Sequence, residues 1–374
     1  MKITIVLPHA DLSGGVRVVA TYADRLQRRG HEVFLVSRPY RRPSLLEQTK
    51  SLLKRRSFLS IPRSRASHLD DLNVNHQVID QCRPITDADV PDADVVIATW
   101  WETAEWVTRL SPSKGAKAYF IQHYETFDYL PKQRVEATYL MPLHKITISN
   151  WLLDLMKFKY GDCNVSLVPN SVDTEQFNSP PRNKQSVPTF GMMYNSAYWK
   201  GTDISLKAFS LVRQTLPELR LLAFGADPPV AALPLPKEVQ YFQSPPPDQI
   251  KDIYASCDAW LFSSRSEGFG LPILEAMACR TPVIGTAVGA APELIAKGGG
   301  ILVKPEEPNS VAEAMLQVCR LSDAEWRTMS DAAYSTATHY TWDDATDLFE
   351  GALYTAIERS QRGDWKHSLV SAQP

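Results

Sequence analysis

From Ser263 to Ala278 the chain reads Ser-Ser-Arg-Ser-Glu-Gly-Phe-Gly-Leu-Pro-Ile-Leu-Glu-Ala-Met-Ala, the strongest local signal in the sequence. A strand is predicted to end at Ser263, and a loop with two glycines follows it. Pro272 then stands where the first turn of a helix tolerates proline. A strand that passes through a glycine loop into a helix is typical of parallel sheets covered by helices. The stretch therefore predicts an α/β fold.

The same alternation of short apolar strands and helical segments extends along the chain in both directions. Seven strands are predicted in the first half, at Ile3–Leu7, Val33–Ser37, His76–Ile79, Val95–Thr99, Ala118–Gln122, Ile146–Ser149 and Ser166–Val168. Six more follow, at Thr189–Met193, Leu219–Phe224, Val239–Phe242, Ala259–Ser263, Pro282–Gly285 and Ile301–Val303. Two such series predict two doubly wound, Rossmann-like α/β domains.

The two series are separated by a polar, proline-rich segment at residues 178–184, which is typical of a linker. We therefore expect an amino-terminal domain over residues 1–180 and a carboxyl-terminal domain over residues 186–340. From Ser322 to about Arg362 the pattern is almost wholly helical. No strand follows this tail, so its last helix, expected over residues 342–362, must pack on something already built.

Composition excludes several classes of protein. The 374 residues include 40 Lys and Arg against 42 Asp and Glu, and this near-neutral balance argues against a nucleic-acid partner. No window approaches the roughly 20 apolar residues that span a bilayer, and the amino terminus lacks the long apolar core of a signal peptide. The five cysteines include no Cys-x-x-Cys pair, which favours reduced thiols in a cytosolic protein.

One segment departs from this balance. Residues 38–65 carry nine basic side chains and one acid, together with several leucines. A basic amphipathic segment of this kind can lie on an anionic membrane surface or contact an anionic acceptor. The alternative is a long, solvated connection between strand and helix, and the sequence leaves both interpretations open.

Two glycine loops carry the chemistry. Gly14 and Gly15 follow the first strand and open a helix, where backbone N–H groups can meet an anion. The Gly-x-Gly-x-x-Gly spacing of a dinucleotide fold is absent, which disfavours NAD and FAD as cofactors. In the loop quoted first, the amides of Gly268 and Gly270 can meet a polar ligand. Glu267 and Glu275 flank this loop and can accept hydrogen bonds from the hydroxyl groups of a sugar and a ribose.

The string from Glu267 to Ala278 resembles the retaining glycosyltransferases of family 4 (GT4), which have the GT-B fold and use nucleotide-sugar donors. The resemblance spans nearly the whole chain. Further matching stretches are Gly30–Val33, Val168–Asp173, Lys200–Asp203, Thr281–Ile284 and Pro292–Ile295. The resemblance implies two Rossmann-like domains facing across a cleft, with the helix over residues 342–362 crossing back to the amino-terminal domain.

The resemblance also implies the roles of individual residues. Glu275 is expected to bind the ribose hydroxyls, Glu267 the transferred sugar, and Lys200 the pyrophosphate. His123, which follows a strand of the first domain, matches a histidine that contacts the donor sugar and the reacting centre. The expected catalytic residues are His123, Glu267 and Lys200. The expected donor-binding residues are Gly14, Gly15, Lys200, Phe242, Arg265, Glu267, Gly268, Phe269, Gly270, Leu271 and Glu275.

One position departs from the family pattern. Many members carry an arginine beside the pyrophosphate lysine, directly after the glycine of the second domain's first strand, but here Met192 follows Gly191. Our hypothesis is that Arg265 or Arg17 compensates for the missing arginine.

A metal-dependent alternative fits less well. Asp87-Ala88-Asp89 and Asp92-Ala93-Asp94 resemble the Asp-x-Asp metal motif of the other main glycosyltransferase fold. That motif follows an apolar strand, whereas Asp94 precedes one, so we interpret both pairs as solvated turn residues. No metal and no cofactor are expected.

The sequence thus predicts a cytoplasmic, metal-independent, retaining glycosyltransferase. It is expected to move a hexosyl or deoxyhexosyl group from a nucleotide sugar to a glycan, a lipid-linked acceptor or another cell-surface polysaccharide. Contact with the inner face of the membrane through residues 38–65 is left open. Two alternatives are a relative that hydrolyses or epimerises a nucleotide sugar, and a catalytically silent protein that only binds one.

Overall fold

The computed structural model describes residues 1–40, 66–70 and 72–364, and these residues form two compact units. Unit 1 takes its described residues from Met1–Thr147, Leu153–Val168 and Thr346–Pro374. Unit 2 comprises Ile148–Leu152 and Pro169–Ala345. Of the basic segment, residues 41–65 lie outside the described residues.

Unit 1 is built on a parallel sheet of seven strands in the order β3-β2-β1-β4-β5-β6-β7. The strands are β1 (Lys2–Leu7), β2 (Glu32–Ser37), β3 (Asn75–Val78), β4 (Val95–Ala98), β5 (Ala116–Ile121), β6 (His144–Thr147) and β7 (Ser166–Leu167). The central strand β4 is buried along its length, as expected for an apolar strand covered on both faces. The strand order changes direction between β1 and β4, which makes this pair the switch point of the sheet.

Unit 2 repeats the architecture with six parallel strands in the order β10-β9-β8-β11-β12-β13. The strands are β8 (Thr189–Met193), β9 (Arg220–Gly225), β10 (Val239–Gln243), β11 (Ala259–Phe262), β12 (Val283–Thr286) and β13 (Gly300–Val303). The switch point lies between β8 and β11. All thirteen predicted strands are present, each within two residues of its predicted ends, and the two doubly wound sheets confirm the predicted GT-B fold class.

Helices connect the strands and cover the sheets. In the described ranges they are α1 (Gly14–Arg28), α2 (Trp101–Arg109), α3 (Lys132–Thr138), α4 (Asn150–Asp154), α5 (Thr202–Arg213), α6 (Pro247–Ala255), α7 (Leu271–Ala278), α8 (Ala291–Ile295), α9 (Pro308–Arg320), α10 (Asp323–Thr338) and α11 (Trp342–Arg362). None of the helices that the structure describes has both the length and the apolarity to span a membrane.

From Thr346 onward, α11 belongs to unit 1. The ring of Phe349 stacks on Tyr22 of α1, with centroids 4.2 Å apart, and meets Phe120 of β5 edge-on at 5.1 Å. Near the other end of α11, the Arg359 guanidinium lies 3.0 Å from Nδ1 of His144. Burial and this neighbouring cation lower the pKa of His144 to about 4. The last helix therefore completes the core of the first sheet.

The boundary between the units differs from the expected linker. Residues 169–180, which the sequence placed in the amino-terminal domain, belong to unit 2. The segment over residues 178–184 is held there by two basic side chains. Arg182 donates to Thr281 at 2.9 Å and lies 4.6 Å from the Trp326 ring centroid. Lys184 donates to the carbonyls of Cys319 and Leu321 at the end of α9, both at 2.8 Å. These contacts hold residues 178–184 against unit 2, although their polar, proline-rich composition is typical of a linker.

Candidate functional site

In unit 2, the loops after β8 and β11 carry the candidate residues Lys200 and Glu267, next to the switch point of the sheet. In open α/β sheets, ligands bind at the carboxyl ends of the strands beside such a point. The Lys200 ammonium donates to Oε1 of Glu267 at 2.7 Å, and the Ser264 hydroxyl donates to the same oxygen at 2.8 Å. The structure thus brings these two predicted residues into direct contact.

Gly201 explains how the two loops come so close. Its φ is +64°, in the left-handed region that favours glycine. A Cβ at this position would lie 1.8 Å from the Ser263 carbonyl oxygen, so only glycine fits between the loop after β8 and the end of β11. Lys200 is the residue before this glycine, and its place beside Glu267 depends on that approach.

The loop after Glu267 is held by its carbonyl oxygens. The Gly268 carbonyl accepts from the Ser149 hydroxyl and from Nε1 of Trp151, both at 2.9 Å, and the Phe269 carbonyl accepts from the Ala290 amide at 2.9 Å. By contrast, within the described residues no hydrogen bond uses the backbone N–H groups from Gly268 to Leu271. These N–H groups lead into the first turn of α7, where the helix dipole favours negative charge.

Glu275 lies farther along α7 and is buried. Its carboxylate accepts a hydrogen bond from the Tyr254 hydroxyl at 2.8 Å. The structure places Phe242 half-buried near the end of β10, the edge strand, two strands away from β8. Among the hydrogen bonds and ion pairs described, the only one that joins two predicted donor-binding residues of unit 2 is that between Lys200 and Glu267.

Arg265 is engaged elsewhere. Its guanidinium forms a two-pronged ion pair with Asp203, at 2.8 and 3.0 Å, and its Nε donates to Glu306 at 2.8 Å. The guanidinium carbon also lies 4.0 Å from the centroid of the Tyr198 ring. The hydrogen bonds from Arg265 lower the pKa of Asp203, and those to Asp203 raise the pKa of Arg265. Arg265 could reach a pyrophosphate only if these pairs opened.

Met192, where the family arginine is missing, is a core residue. Its side chain is 1 % exposed and packs with Phe190, Leu221 and Leu261 in the core of unit 2. An arginine at this position of β8 would be buried among apolar side chains, which costs free energy unless the charge is paired. The packing of unit 2 therefore explains why methionine suits this position.

In unit 1, the candidate glycines open α1 at the carboxyl end of β1. Ser13 caps the helix by accepting a hydrogen bond from the Val16 amide at 3.4 Å. A Cβ at Gly15 would lie 3.5 Å from Gln122, an ordinary contact, and Gly15 is outside the left-handed region. Neither backbone conformation nor packing requires glycine at position 15, and its contact with a phosphate stays a prediction.

His123 follows β5, the strand next to β4. Its Nδ1 lies 2.9 Å from the Tyr124 carbonyl oxygen. Because a carbonyl can only accept, Nδ1 carries the proton, and in the neutral ring Nε2 then has the lone pair that can accept from a hydroxyl group. The ring also lies against Phe127, with centroids 4.9 Å apart.

Glu125, two residues after His123, is a residue that the sequence analysis missed. It is 1 % exposed, and Oε2 accepts from the Trp101 amide at 2.8 Å and from the Tyr119 hydroxyl at 3.3 Å. Burial raises the pKa of this carboxyl well above its ordinary value, which favours the protonated acid. No spacing in the sequence marks it, because its partners come from α2, β5 and the end of α3.

The structure also bears on three further expectations, which concern the Asp-x-Asp pairs, the basic segment and metal binding. Asp89 is not the solvated turn residue that we expected, because it is buried and paired with Arg83 at 2.6 and 2.7 Å. Arg38, the first residue of the basic segment, forms an ion pair with Glu102 and lies 5.0 Å from the centroid of the Trp106 ring. Among the described residues no three His, Cys, Asp or Glu side chains cluster so as to hold a metal ion, and metal independence stays a prediction.

A groove of about 960 Å³ in unit 1 lies at the opposite end of the sheet from His123. It is lined by Lys2, Thr4 and the residues just before β2, β3 and β4. Because ligands of open α/β sheets bind at the carboxyl ends of the strands, the size of this groove does not make it the candidate site. In unit 2, Lys200, Glu267, Ser264 and Pro272 line a small cavity of about 20 Å³.

Comparisons with known proteins agree with this architecture. A family model described as Glycosyltransferase Family 4 matches residues 12–176, and one described as Glycosyl transferases group 1 matches residues 173–335. Among solved structures, sucrose-phosphate synthase from Thermosynechococcus elongatus has a TM-score of 0.70 at 17 % identity and covers 96 % of this chain and 100 % of its own. Anabaena HepE in complex with UDP and glucose has a TM-score of 0.69 at 16 % identity, with the same coverage. These two likenesses show the fold alone.

Curated relatives match over shorter segments. D-inositol 3-phosphate glycosyltransferase of Corynebacterium urealyticum is 31 % identical over 42 % of this chain and 40 % of its own length. The O-antigen chain mannosyltransferase B of Escherichia coli is 31 % identical over 29 % of this chain and 28 % of its own. The matches thus span well under two thirds of these relatives. Since the two family models together match residues from 12 to 335 in the order that the two sheets follow, the chain belongs to the family 4, group 1 glycosyltransferases with the GT-B fold.

Proposed function

We propose that this protein transfers a hexosyl or deoxyhexosyl group from a nucleoside-diphosphate sugar to a hydroxyl group of an acceptor. The observation that supports this most is the pairing of Lys200 with Glu267 beside backbone N–H groups that no described residue uses, at the start of α7. A cation and helix-terminal N–H groups suit a diphosphate, and a carboxylate suits sugar hydroxyls.

Lys200 and the N–H groups of residues 268–271 serve the leaving group. As the bond from the sugar C1 to the phosphate oxygen breaks, negative charge grows on the nucleoside diphosphate. A lysine and a helix dipole that are already in position stabilise the transition state, where this charge has grown, more than they stabilise the bound substrate. The activation barrier is therefore lowered. This arrangement is also our reason for proposing that the reaction needs no metal.

Glu267 and Glu275 serve the donor's hydroxyl groups. Glu267 shares Oε1 between Lys200 and Ser264, so a sugar hydroxyl would take the place of one of these donors or bind the other oxygen. Glu275 would accept from the ribose hydroxyls while the Tyr254 hydroxyl keeps its carboxylate oriented. For His123 we keep the family role, contact with the donor sugar, because its Nε2 is the acceptor nitrogen of the neutral ring.

We propose that the anomeric configuration is retained by attack from the leaving-group side. The acceptor oxygen bonds to C1 while the C1–phosphate oxygen bond breaks, and the acceptor's proton passes to the departing phosphate oxygen. Glu267 is a poor covalent nucleophile because it is held by a cation and a hydroxyl group. Retention without an enzyme nucleophile is therefore the mechanism that these residues suit best.

The acceptor is proposed to be a glycan or a lipid-linked sugar of a cell-surface polysaccharide. The names of two relatives, a D-inositol 3-phosphate glycosyltransferase and an O-antigen chain mannosyltransferase, support polyol or glycan acceptors. We place the reaction in the cytoplasm, where the basic side chains of residues 38–65 other than Arg38, which pairs with Glu102, could contact an anionic membrane surface.

Nucleotide release tests the proposal. UDP-glucose, UDP-galactose, UDP-N-acetylglucosamine and GDP-mannose are screened first by thermal shift, since a ligand that binds the native state raises Tm. Any donor that binds is then incubated with methyl glycosides, myo-inositol phosphate or neither. We expect release that depends on the acceptor and is reduced in Glu267→Gln and Glu275→Gln. Glu313→Gln, an exposed glutamate of α9, is the matched control.

Release without any acceptor would favour hydrolysis instead, and binding without release would favour a silent protein. Unchanged binding and turnover in both Glu267→Gln and Glu275→Gln would show that the donor site lies elsewhere.

A further inference from the structure

Two side chains from outside the glycine loop anchor the carbonyl oxygen of Gly268. The Ser149 hydroxyl and Nε1 of Trp151 both donate to this oxygen at 2.9 Å. Both donors belong to the segment Ile148–Leu152, which the chain contributes to unit 2 between two stretches of unit 1. Because a carbonyl oxygen has two lone pairs, these two donors occupy both of them and hold the carbonyl in one direction.

The same two hydrogen bonds set the direction of the next N–H group. A trans peptide bond is planar, so the Gly268 carbonyl and the Phe269 N–H point in opposite directions. Ser149 and Trp151 therefore aim the Phe269 N–H away from themselves. The following peptide is held in the same way, because the Phe269 carbonyl accepts from the Ala290 amide at 2.9 Å.

The N–H groups aimed in this way are buried without a partner. Among the residues that the structure describes, none accepts a hydrogen bond from the N–H of Phe269 or of Gly270. Phe269 is nevertheless 5 % exposed, and Gly270 is buried. Buried N–H groups are nearly always paired in native proteins, because desolvation of an unpaired group is unfavourable. An acceptor atom of a ligand would supply the missing partner.

The anchors act before any ligand binds. Ser149 is 2 % exposed, so water does not compete for its hydrogen bond to the loop. Gly289 brings the second anchor close, since its φ is +61° and a Cβ there would lie 2.6 Å from the Phe269 carbonyl oxygen. Only glycine allows this approach, which places the Ala290 amide within hydrogen-bonding distance. Both peptides of the loop are therefore already oriented in the free protein.

We propose that Ser149 and Trp151 are positioning residues for the reaction. By holding the Gly268 carbonyl, they aim the Phe269 N–H at the diphosphate of the donor. This inference rests on the proposed transferase function and adds to it two residues outside the glycine loop on which the rate depends. An N–H group that already points at a growing negative charge stabilises the transition state without having to reorient.

The Gly268–Phe269 peptide can be observed by itself, because the dipeptide Gly-Phe occurs once in the sequence. Glycine labelled with ¹³C at the carbonyl and phenylalanine labelled with ¹⁵N give a single cross-peak in an HNCO spectrum of the full chain. UDP, GDP, ADP and dTDP are then added in turn. We expect at least one of them to move the Phe269 amide proton downfield, as a hydrogen bond to a phosphate oxygen does.

The spectra of Ser149→Ala and Trp151→Phe test the anchors themselves. In each variant the Gly268 carbonyl loses one of its donors, so its carbon signal should move upfield. The effect of the nucleotide on the Phe269 amide proton should become smaller, because the N–H is no longer held in one direction.

Steady-state kinetics with the donor that binds test the link to the rate. Ser149→Ala and Trp151→Phe should each lower kcat by about tenfold and change the donor KM by less than about threefold, because the contact strengthens as charge grows on the leaving group. Asn150→Ala is the matched control. Asn150 lies between the two anchors, but its side-chain amide donates to Glu293 at 2.5 Å, so kcat should stay unchanged.

Three results would overturn the positioning role: a Phe269 signal that no nucleotide moves, a kcat in both variants equal to that of Asn150→Ala, or a higher donor KM at unchanged kcat. The proposed function fails separately. If a nucleotide moves the Phe269 signal through the anchored peptide but no nucleotide sugar is consumed, the aimed N–H stands and transfer is wrong. If transfer occurs and both variants keep the parent kcat, transfer stands and the positioning role is wrong.

Discussion

The two units place their candidate residues at the same position of the same kind of sheet, yet with opposite chemistry. In unit 2, the loops beside the switch point bring a lysine and a glutamate to 2.7 Å. In unit 1, the corresponding end of the sheet has a buried carboxyl with a raised pKa, a histidine whose Nδ1 lies at a backbone carbonyl, and stacked aromatic rings. The same topology therefore carries two different sets of side chains, a charged pair in unit 2 and mainly aromatic rings in unit 1.

The largest effect is expected from removing the charge in unit 2. Lys200→Ala should reduce kcat/KM for the donor by about 100-fold to 1,000-fold, because a preorganised partner of the leaving group is lost. The measurement is steady-state nucleotide release. Lys207→Ala removes an exposed lysine from the same region, one that pairs with Asp203 at 3.6 Å, and should leave the rate nearly unchanged. An equal loss of kcat/KM in Lys200→Ala and Lys207→Ala would show that the overall charge of this region matters, and that Lys200 has no specific contact with the leaving group.

The glycine that joins the two loops of unit 2 gives the next effect. Gly201→Ala combines a left-handed backbone with a Cβ 1.8 Å from a carbonyl oxygen, so it should lower the free energy of unfolding by about 3 kcal/mol or more. Gly351→Ala, in α11 with nothing within 4 Å of the new Cβ, should instead raise it by about 0.5–1 kcal/mol. Denaturant unfolding of both variants measures the difference. A Gly201→Ala protein as stable as the parent chain would contradict the close approach.

The raised pKa of Glu125 in unit 1 predicts a pH dependence of stability. Because burial raises the folded pKa of Glu125, the folded state holds a proton that the unfolded chain releases above its own, ordinary pKa. The stability that Glu125 contributes is therefore complete below the unfolded pKa and falls as pH rises toward the folded pKa, by up to about 1.4 kcal/mol per pH unit.

Glu125→Gln removes this titration while keeping the shape of the side chain. Unfolding free energies of the parent chain and the variant, measured at pH 5.5, 6.5 and 7.5, should shift steadily in favour of the variant. Parallel curves would mean that Glu125 is ionised in the folded protein.

The smallest effect on the reaction is expected from Arg265. Because its guanidinium is paired with Asp203 and Glu306, Arg265→Ala should change the donor KM by less than about threefold and lower the unfolding free energy by about 1–2 kcal/mol. Donor titrations and unfolding curves measure both quantities. A large rise in KM at unchanged stability would instead support Arg265 as the substitute for the missing arginine. Arg17→Ala tests the other half of that hypothesis.

The strands and the glycine loops could be predicted because their signals are local. In apolar runs such as Val95–Ala98, and in the Gly268–Pro272 loop, a few neighbouring residues are enough to predict the conformation. The role of Glu125 could not be predicted, because it depends on partners brought together by the fold. The position of residues 178–184 could not be predicted for the same reason. Arg182 in this segment contacts Thr281 and Trp326, which lie about 100 and 144 residues further along the chain, so the sequence alone indicates a linker.

The return of α11 to unit 1 has a consequence for biosynthesis. The stack between Tyr22 and Phe349 joins residues from the two ends of the chain, whereas most of unit 2 is one continuous segment. On the ribosome, unit 2 can therefore close its core while unit 1, although translated first, still lacks its last helix. A nascent chain paused before Thr346 would expose the apolar face of α1, which makes the first-made half the last to become protease-resistant.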